Sequence, residues 1–356
     1  MFPAQDKVTF LSRQSNEINI DYKLLINALK QEKEPIRIVT LCKTIDSGLF
    51  NRVGYLFYTL KCMYHIATSK VCIVDGYSIP ISILKHKKEL MIIQMWHALG
   101  AIKKFGLQCV DKKEGINQNI AQLMDMHKNY NYILCPSKAT KKFYEEAFGV
   151  DDSRIMLCGM PRVDYLLNAN TCEVKDKFRV EYPEIVKKPI ILYAPTFRKG
   201  RAVAINPLVD AIDLHSYSLI VKTHPLDYSV IDSKYIVDQK YSIFDLIQIA
   251  DYIITDYSSI ALEASLLKKP VYFYVYDIDD YVNNRGLNVQ VYNELKHQTR
   301  TDAAEIVQLI EQNYYDYDAL ERFKNKYIEV TNQNNTKYLS KFIISHMFAE
   351  EQEDIV

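Results

Sequence analysis

Short β-rich apolar runs alternate with longer segments of helical period along most of this 356-residue chain. That alternation constrains the fold more than any other feature, because strands separated by helices can only close as parallel sheets wrapped by helices. In the first half the predicted strands are 8–11, 36–41, 71–74, 91–95, 132–135 and 155–158. Helices are predicted between them at 20–31, 52–68, 117–128 and 138–148, with Ser137 as N-cap and Gly149 as stop for the last. The polar stretch 168–188 reads as a connection with room for one short helix. A second series follows, with strands at 190–194, 219–222, 235–237, 252–255 and 271–275, helices near 243–250 and 259–267, and helix alone from 301 to about 347. The helix at 52–68 is apolar on most sides, which predicts burial between neighbours, with a membrane-apposed face as the lesser alternative. The expected fold is therefore α/β, with two doubly wound Rossmann-type domains facing across a cleft: 1–167, a linker 168–188, and 189–356 with terminal helices.

Length and composition agree with two cores: apolar residues make up 48% of the chain and charged residues 25%, as in globular proteins. Basic and acidic residues balance at 44 each, which argues against a nucleic-acid partner. The balance hides an asymmetry, since residues 1–180 hold 26 basic and 18 acidic side chains and the rest hold the reverse. Such a split suits a basic half that meets an anionic surface, or two halves that attract each other. Seven scattered cysteines without a C-x-x-C pair point to a reducing compartment and to neither a disulfide framework nor a zinc site. No run is long and apolar enough to span a bilayer and no secretory signal is seen, so a cytoplasmic location is expected.

The strand ends carry the chemistry. The strand 252–255 runs into Asp256-Tyr257-Ser258-Ser259 and then a helix, and free N–H groups with hydroxyls in a first helical turn suit a phosphate or diphosphate. The strand 190–194 runs into Pro195-Thr196-Phe197-Arg198, and 219–222 ends with Lys222-Thr223-His224-Pro225. Together Thr196, Arg198, Lys222, His224, Ser258 and Ser259 read as a diphosphate cradle on one carboxyl edge. From the first half, 91–95 leads into Trp96-His97, where an imidazole facing the cleft can take a proton from an attacking hydroxyl. Arg162 and Asp164 follow the last strand of that half and either line the cleft or lock the crossover as an ion pair. No G-x-G-x-x-G, Walker loop, G-x-S-x-G or H-E-x-x-H occurs, and metal ligation is unsupported.

These motifs occur in a telling order: Trp96-His97 with Gly100 and Lys103-Lys104, Gly159-x-Pro161-Arg162-x-Asp164, Tyr193 to Arg198, Lys222-x-His224-Pro225, and Thr255 to Ser259. The ordered set, spanning about Lys7 to Tyr281, resembles the CDP-glycerol glycerophosphotransferases of teichoic acid synthesis. The start of the chain almost directly at Lys7, and Ala98 after the Trp-His pair, look more like a short primase than the long polymerases. The resemblance implies the GT-B fold and transfer of glycerol phosphate from CDP-glycerol to an undecaprenyl-diphosphate-linked ManNAc-GlcNAc disaccharide, releasing CMP, without a metal or other cofactor. It implies His97 and His224 as catalytic residues, with Thr196, Arg198, Lys222, Asp256, Ser258 and Ser259 holding the CDP-glycerol diphosphate. Asp256 orients the loop or meets the glycerol end, and Trp96, Arg162 and Asp164 stand as cleft-lining residues. The expected setting is peripheral, on the cytoplasmic face of the membrane with the basic half toward the inner leaflet. Other readings are a capsule or teichoic polymerase of the same family and a GT-B glycosyltransferase that uses a CMP-sugar.

Overall fold

A computed structural model of the chain describes residues 3–45, 49–198, 203–223, 236–237, 240–329 and 334–348, with backbone alone for 49–52 and 236–237. Two parallel six-stranded sheets form, as the alternation requires. The first contains β1 (Gln5–Ser12), β2 (Arg37–Cys42), β3 (Ser69–Val74), β4 (Met91–Gln94), β5 (Tyr132–Cys135) and β6 (Ile155–Leu157), in the order β2-β1-β3-β4-β5-β6. The second contains β7 (Ile190–Tyr193), β8 (Ser218–Val221), β9 (Ile236–Val237), β10 (Tyr252–Thr255), β11 (Val271–Tyr274) and β12 (Thr299–Arg300), in the order β12-β11-β10-β7-β8-β9. Central strands such as β7, β8 and β11 are buried along their whole length, so they read as continuous apolar runs rather than alternating ones.

The helices follow local chemistry. Asn19 caps the helix Ile20–Lys30 by accepting from the Tyr22 N–H, and Gly149 ends Lys141–Phe148 in the left-handed region at φ 63°. Residues 138–140 form a 3-10 turn before that helix, and the Ser137 hydroxyl bonds Thr140 Oγ1 instead of capping. The helix predicted over 117–128 stops early, as Gln118–Leu123, because Asp125, His127 and Asn129 all adopt positive φ. The connection carries more structure than its polarity signals, an 11-residue helix Thr171–Glu181 capped by Asn170.

Two differences bear on function. The helix Leu49–Ala67 is not sandwiched between neighbours: Val53, Leu56, Phe57, Leu60 and Tyr64 face outward, with Phe57 67% exposed. Its inner face alone meets the sheet, so it is a two-sided element rather than a buried one. The terminal helix Asn335–Met347 does not stay with the second sheet. It packs against the helices Ile20–Lys30 and Pro161–Leu167 and against β3. Asp164 fixes its start, accepting the N–H groups of Asn335 at 3.1 Å and Thr336 at 2.7 Å.

A loop of the first half also pairs its backbone with the second. Lys103 and Leu287 form an antiparallel bridge, Lys104 N–H donates to Gly286 at 3.1 Å, and Asn288 N–H donates to Ile102 at 2.9 Å. Gly100 opens this loop at φ 74°, and a Cβ there would lie 2.4 Å from Leu262 Cδ1 on the opposing half. Gly100→Ala is therefore expected to lower unfolding free energy by about 2 kcal/mol or more, from backbone strain and overpacking together. Urea unfolding of the variant beside the wild type measures it.

Candidate active site

Both sheets present their carboxyl edges to the region between the halves. A solvent-open cleft of about 490 Å³ lies there, lined from the first half by Lys103 and Glu114 and from the second by Thr196, Phe197, Lys222, Thr223, Ser258 and Arg285, among others. Three cations and one carboxylate give it the positive bias that a diphosphate needs. Burial and the nearby Arg285 charge push the Lys103 ammonium down to about 8.

The floor of the cleft is built on Asp256, which is fully buried at the end of β10. Its carboxylate accepts the Thr196 N–H at 3.0 Å and the Tyr257 N–H at 2.5 Å, so it pins the β7 loop to the β10 turn. Arg198 answers that charge from within. It donates to Asp256 at 2.9 Å and to both oxygens of Asp277 at 2.8 and 3.0 Å, between the rings of Tyr257, Tyr276 and Tyr281. At 2% exposure Arg198 has no face turned to a ligand. The sequence expectation of a phosphate fork at this residue is thus corrected: the guanidinium neutralises two interior carboxylates. Asp256 orients the loop, the first of its two predicted roles.

Thr196 and Ser258 do reach the cleft. Thr196 Oγ1 is buried and has no hydrogen-bond partner, an orphan that an incoming phosphate oxygen would satisfy. The Ser258 hydroxyl accepts the Ile260 N–H at 3.4 Å, whereas Ser259 adopts helical backbone angles and makes no side-chain cap. Lys222 stands in the wall with Nζ donating to the Tyr241 carbonyl at 2.8 Å. His224 lies outside the described residues.

His97, half-buried three residues past β4, is not among the lining residues of this cleft, but the charges of Lys103 and Arg285, which are, act on its ring. Trp96 takes a left-handed conformation at φ 64°, with its N–H bound by Gln94 Oε1, and so turns the chain sharply. The Trp96 ring goes into an aromatic cluster with Phe105 and Phe148, so it packs rather than lining the cleft. The His97 ring swings back and bonds the Asp75 carbonyl through Nδ1 at 3.0 Å. A carbonyl only accepts, so Nδ1 carries the hydrogen and Nε2 keeps its lone pair. Burial, with the charges of Arg162, Lys103 and Arg285, pushes the imidazole down to about 4.

Arg162 and Asp164 are also reassigned. Arg162 is buried with Asp21 and Glu263, which belongs to the helix after the Ser258-Ser259 turn, and it donates to the His97 carbonyl at 3.1 Å. Burial pushes Glu263 up to about 7 despite that partner. Arg162 therefore joins the two halves behind the cleft instead of lining it, and its ionic partners are not Asp164, which caps the terminal helix. Lys103, Glu114 and Arg285 are the cleft residues that strand-end reasoning missed. Lys103 and Glu114 arrive on the loop that pairs with 284–289 and Arg285 on that partner segment, and the Lys103-Lys104 doublet was the sole sequence sign of the pairing.

Two facing doubly wound domains with a cationic, hydroxyl-bearing cleft and an adjacent neutral imidazole define a GT-B-type α/β transferase. The chain belongs to the CDP-glycerol:poly(glycerophosphate) glycerophosphotransferase family, whose model matches residues 1–345. It is 32% identical to the teichoic acid ribitol-phosphate primase of Bacillus spizizenii over 98% of this chain and 93% of that protein. It is 31% identical to the teichoic acid glycerol-phosphate primase of Bacillus subtilis over 80% and 76%. Among solved structures it resembles the wall teichoic acid polymerase TagF, with a TM-score of 0.78 and 19% identity over 98% of this chain and 91% of that one. The UDP-GlcNAc 2-epimerase of Methanocaldococcus jannaschii shares the fold more loosely, with a TM-score of 0.60 at 15% identity over 95% and 99%.

Removing the interior counter-charge tests the new role of Arg198. Arg198→Ala is expected to cost about 3 to 5 kcal/mol of stability, because two buried carboxylates lose their cation. Chemical denaturation reads this directly; a variant as stable as the wild type, with only donor binding lost, would restore the fork.

Proposed function

We propose that this chain is a primase-type polyol-phosphate transferase that moves glycerol phosphate from CDP-glycerol to a hydroxyl of an undecaprenyl-diphosphate-linked ManNAc-GlcNAc disaccharide. The observation that carries the reading is the family match over nearly the whole chain, set against a cleft whose free Thr196 hydroxyl and cations suit a diphosphate. One TagF structure was determined after a soak with CDPG, which fits the same donor class. The acceptor oxygen attacks the β-phosphorus, an O–P bond forms, the bond to the α-phosphate oxygen breaks, and CMP leaves with that electron pair. The hydroxyl proton passes to His97 Nε2. Thr196, Ser258, Lys103, Lys222 and Arg285 hold and neutralise the phosphates, the main demand of phosphoryl transfer. Metal independence is part of the proposal, with CMP release expected to survive EDTA.

A second donor has its own support. The ribitol-phosphate primase relative is matched over 98% of this chain, so CDP-ribitol is the alternative donor. Incubation of the enzyme and synthetic lipid-linked disaccharide with each CDP-polyol, followed by mass analysis, decides between them. Release of CMP from a CMP-sugar alone overturns both.

The location follows the same reading. Among the described residues no helix is long and apolar enough to cross a membrane. The outward Leu56, Phe57 and Leu60 of the helix Leu49–Ala67, together with the basic excess of the first half, suit peripheral contact with an anionic inner leaflet. Leu56→Asp with Phe57→Asp is expected to abolish flotation with anionic vesicles.

His97→Ala is expected to reduce turnover by about 10²- to 10⁴-fold while leaving CDP-glycerol binding intact, as measured by calorimetry. The pH profile supplies the sign. Because burial lowers the imidazole from 6.5 to about 4, its basic form persists well below neutrality, and kcat/KM should hold level through pH 6.5 and fall as pH approaches 4. An acid limb centred at 6.5 would show that a different, unperturbed group is the base.

A further inference from the structure

The cleft between the halves contains one charge of the wrong sign for a phosphate site. Among the described residues that line it, Glu114 is the sole carboxylate, set among Lys103, Lys222 and Arg285. A carboxylate there repels a diphosphate, so it weakens binding unless it faces a neutral, hydroxyl-bearing part of the ligand.

Its contacts leave it available for such a part. Arg285 approaches Glu114 Oε2 through Nη1 at 3.5 Å, the long limit of a hydrogen bond, and gives its Nε–H to the Lys104 carbonyl at 3.2 Å. Glu114 Oε1 takes no donor among the described residues, and the side chain is 12% exposed. The turn beneath it is closed by its own backbone. Asp111 N–H donates to the Ile116 carbonyl at 3.0 Å and Gly115 N–H to the Lys112 carbonyl at 2.9 Å, and a Cβ on Gly115 would lie 1.6 Å from the Cys109 oxygen. Glu114 N–H itself reaches the Asn284 carbonyl of the second half at 3.4 Å. The carboxylate is therefore held in place before a ligand arrives.

What it faces follows from the topology. The second sheet reverses its winding between β7 and β10, the point at which a doubly wound sheet takes its ligand, and Thr196 and Ser258 follow those two strands. A nucleoside diphosphate on that edge turns its outer ester toward the first half, whose contribution to the same cleft is Lys103 and Glu114. In a CDP-polyol that ester is a neutral chain with free vicinal hydroxyls, each a donor, and a carboxylate is the side chain that accepts two of them at once. Asp256 cannot do so, because it is fully buried and its oxygens are taken by Thr196, Tyr257 and Arg198. We propose that Glu114 is the specificity-determining residue for the polyol of the donor, its carboxylate accepting the vicinal hydroxyls that CDP-glycerol and CDP-ribitol share. The assignment rests on the transfer reaction proposed above and deepens its donor site.

The test compares CDP-glycerol with the propyl ester of CDP, which carries the same charge and lacks both hydroxyls, by calorimetry without acceptor. CDP-ribitol is paired with the pentyl ester in the same way. The wild type is expected to prefer the polyol ester by about tenfold or more, and Glu114→Gln and Glu114→Ala are each expected to cut that preference by about fivefold or more. Both ligands are measured on the same protein, so a general loss of structure or of the cation framework weakens both and leaves their ratio unmoved. If Glu114→Ala does not fold, the isosteric Glu114→Gln decides. A preference that survives substitution, or a wild type that binds polyol and alkyl esters equally, overturns the assignment and leaves the donor reading standing. A raised acceptor KM with the preference intact overturns it in favour of an acceptor contact. If the wild type binds no CDP-polyol, the transfer reading fails and the assignment falls with it.

Discussion

The cleft depends on a charge that never meets solvent. Asp256 holds the Thr196 and Tyr257 N–H groups from the interior, and an interior carboxylate persists only if a cation and a full set of donors surround it. Arg198 supplies the cation, Asp277 shares it, and three tyrosine rings close around the guanidinium. This assembly fixes two loops from different strands in one register. The surface above it, with Thr196 and Ser258, can then offer donors without having to order them when a ligand arrives.

Arg162 repeats the device behind the imidazole. It joins Asp21 of the first half, Glu263 of the second and the His97 carbonyl in one buried cluster. The loop that carries His97 and the helix that follows Ser258 and Ser259 are thereby tied to the same guanidinium. The placement of the imidazole relative to the Ser258–Ser259 turn is set by packing and charge in the interior.

How much of this was legible in the sequence divides along physical lines. Strand runs such as 71–74 and 252–255 were readable because fully buried parallel strands are continuous apolar segments, and their polar ends announced a ligand edge. The family resemblance rested on those ends and agrees with the whole-chain match. The roles of individual charges were not readable. Arg198 at a strand end looks the same whether it faces a phosphate or, as here, carboxylates 58 and 79 residues away. Asp164 looked like a partner for Arg162, but its cap lies 171 residues further on. Lys103 and Arg285 meet only through a backbone pairing between halves, which no local periodicity encodes. Burial between neighbours was the favoured reading of the helix Leu49–Ala67 and an outward apolar face the lesser one, because an all-round apolar helix gives no hint of which side lacks a neighbour.

The return of the terminal helix to the first sheet has a consequence during synthesis. The chain leaves the first lobe after Leu167 and is back on it by Asn335, whose N–H Asp164 accepts, so the terminal helix is anchored three residues from where the first lobe ends. Because that helix packs on Ile20–Lys30, Pro161–Leu167 and β3, the first lobe is complete only once the second has been synthesised.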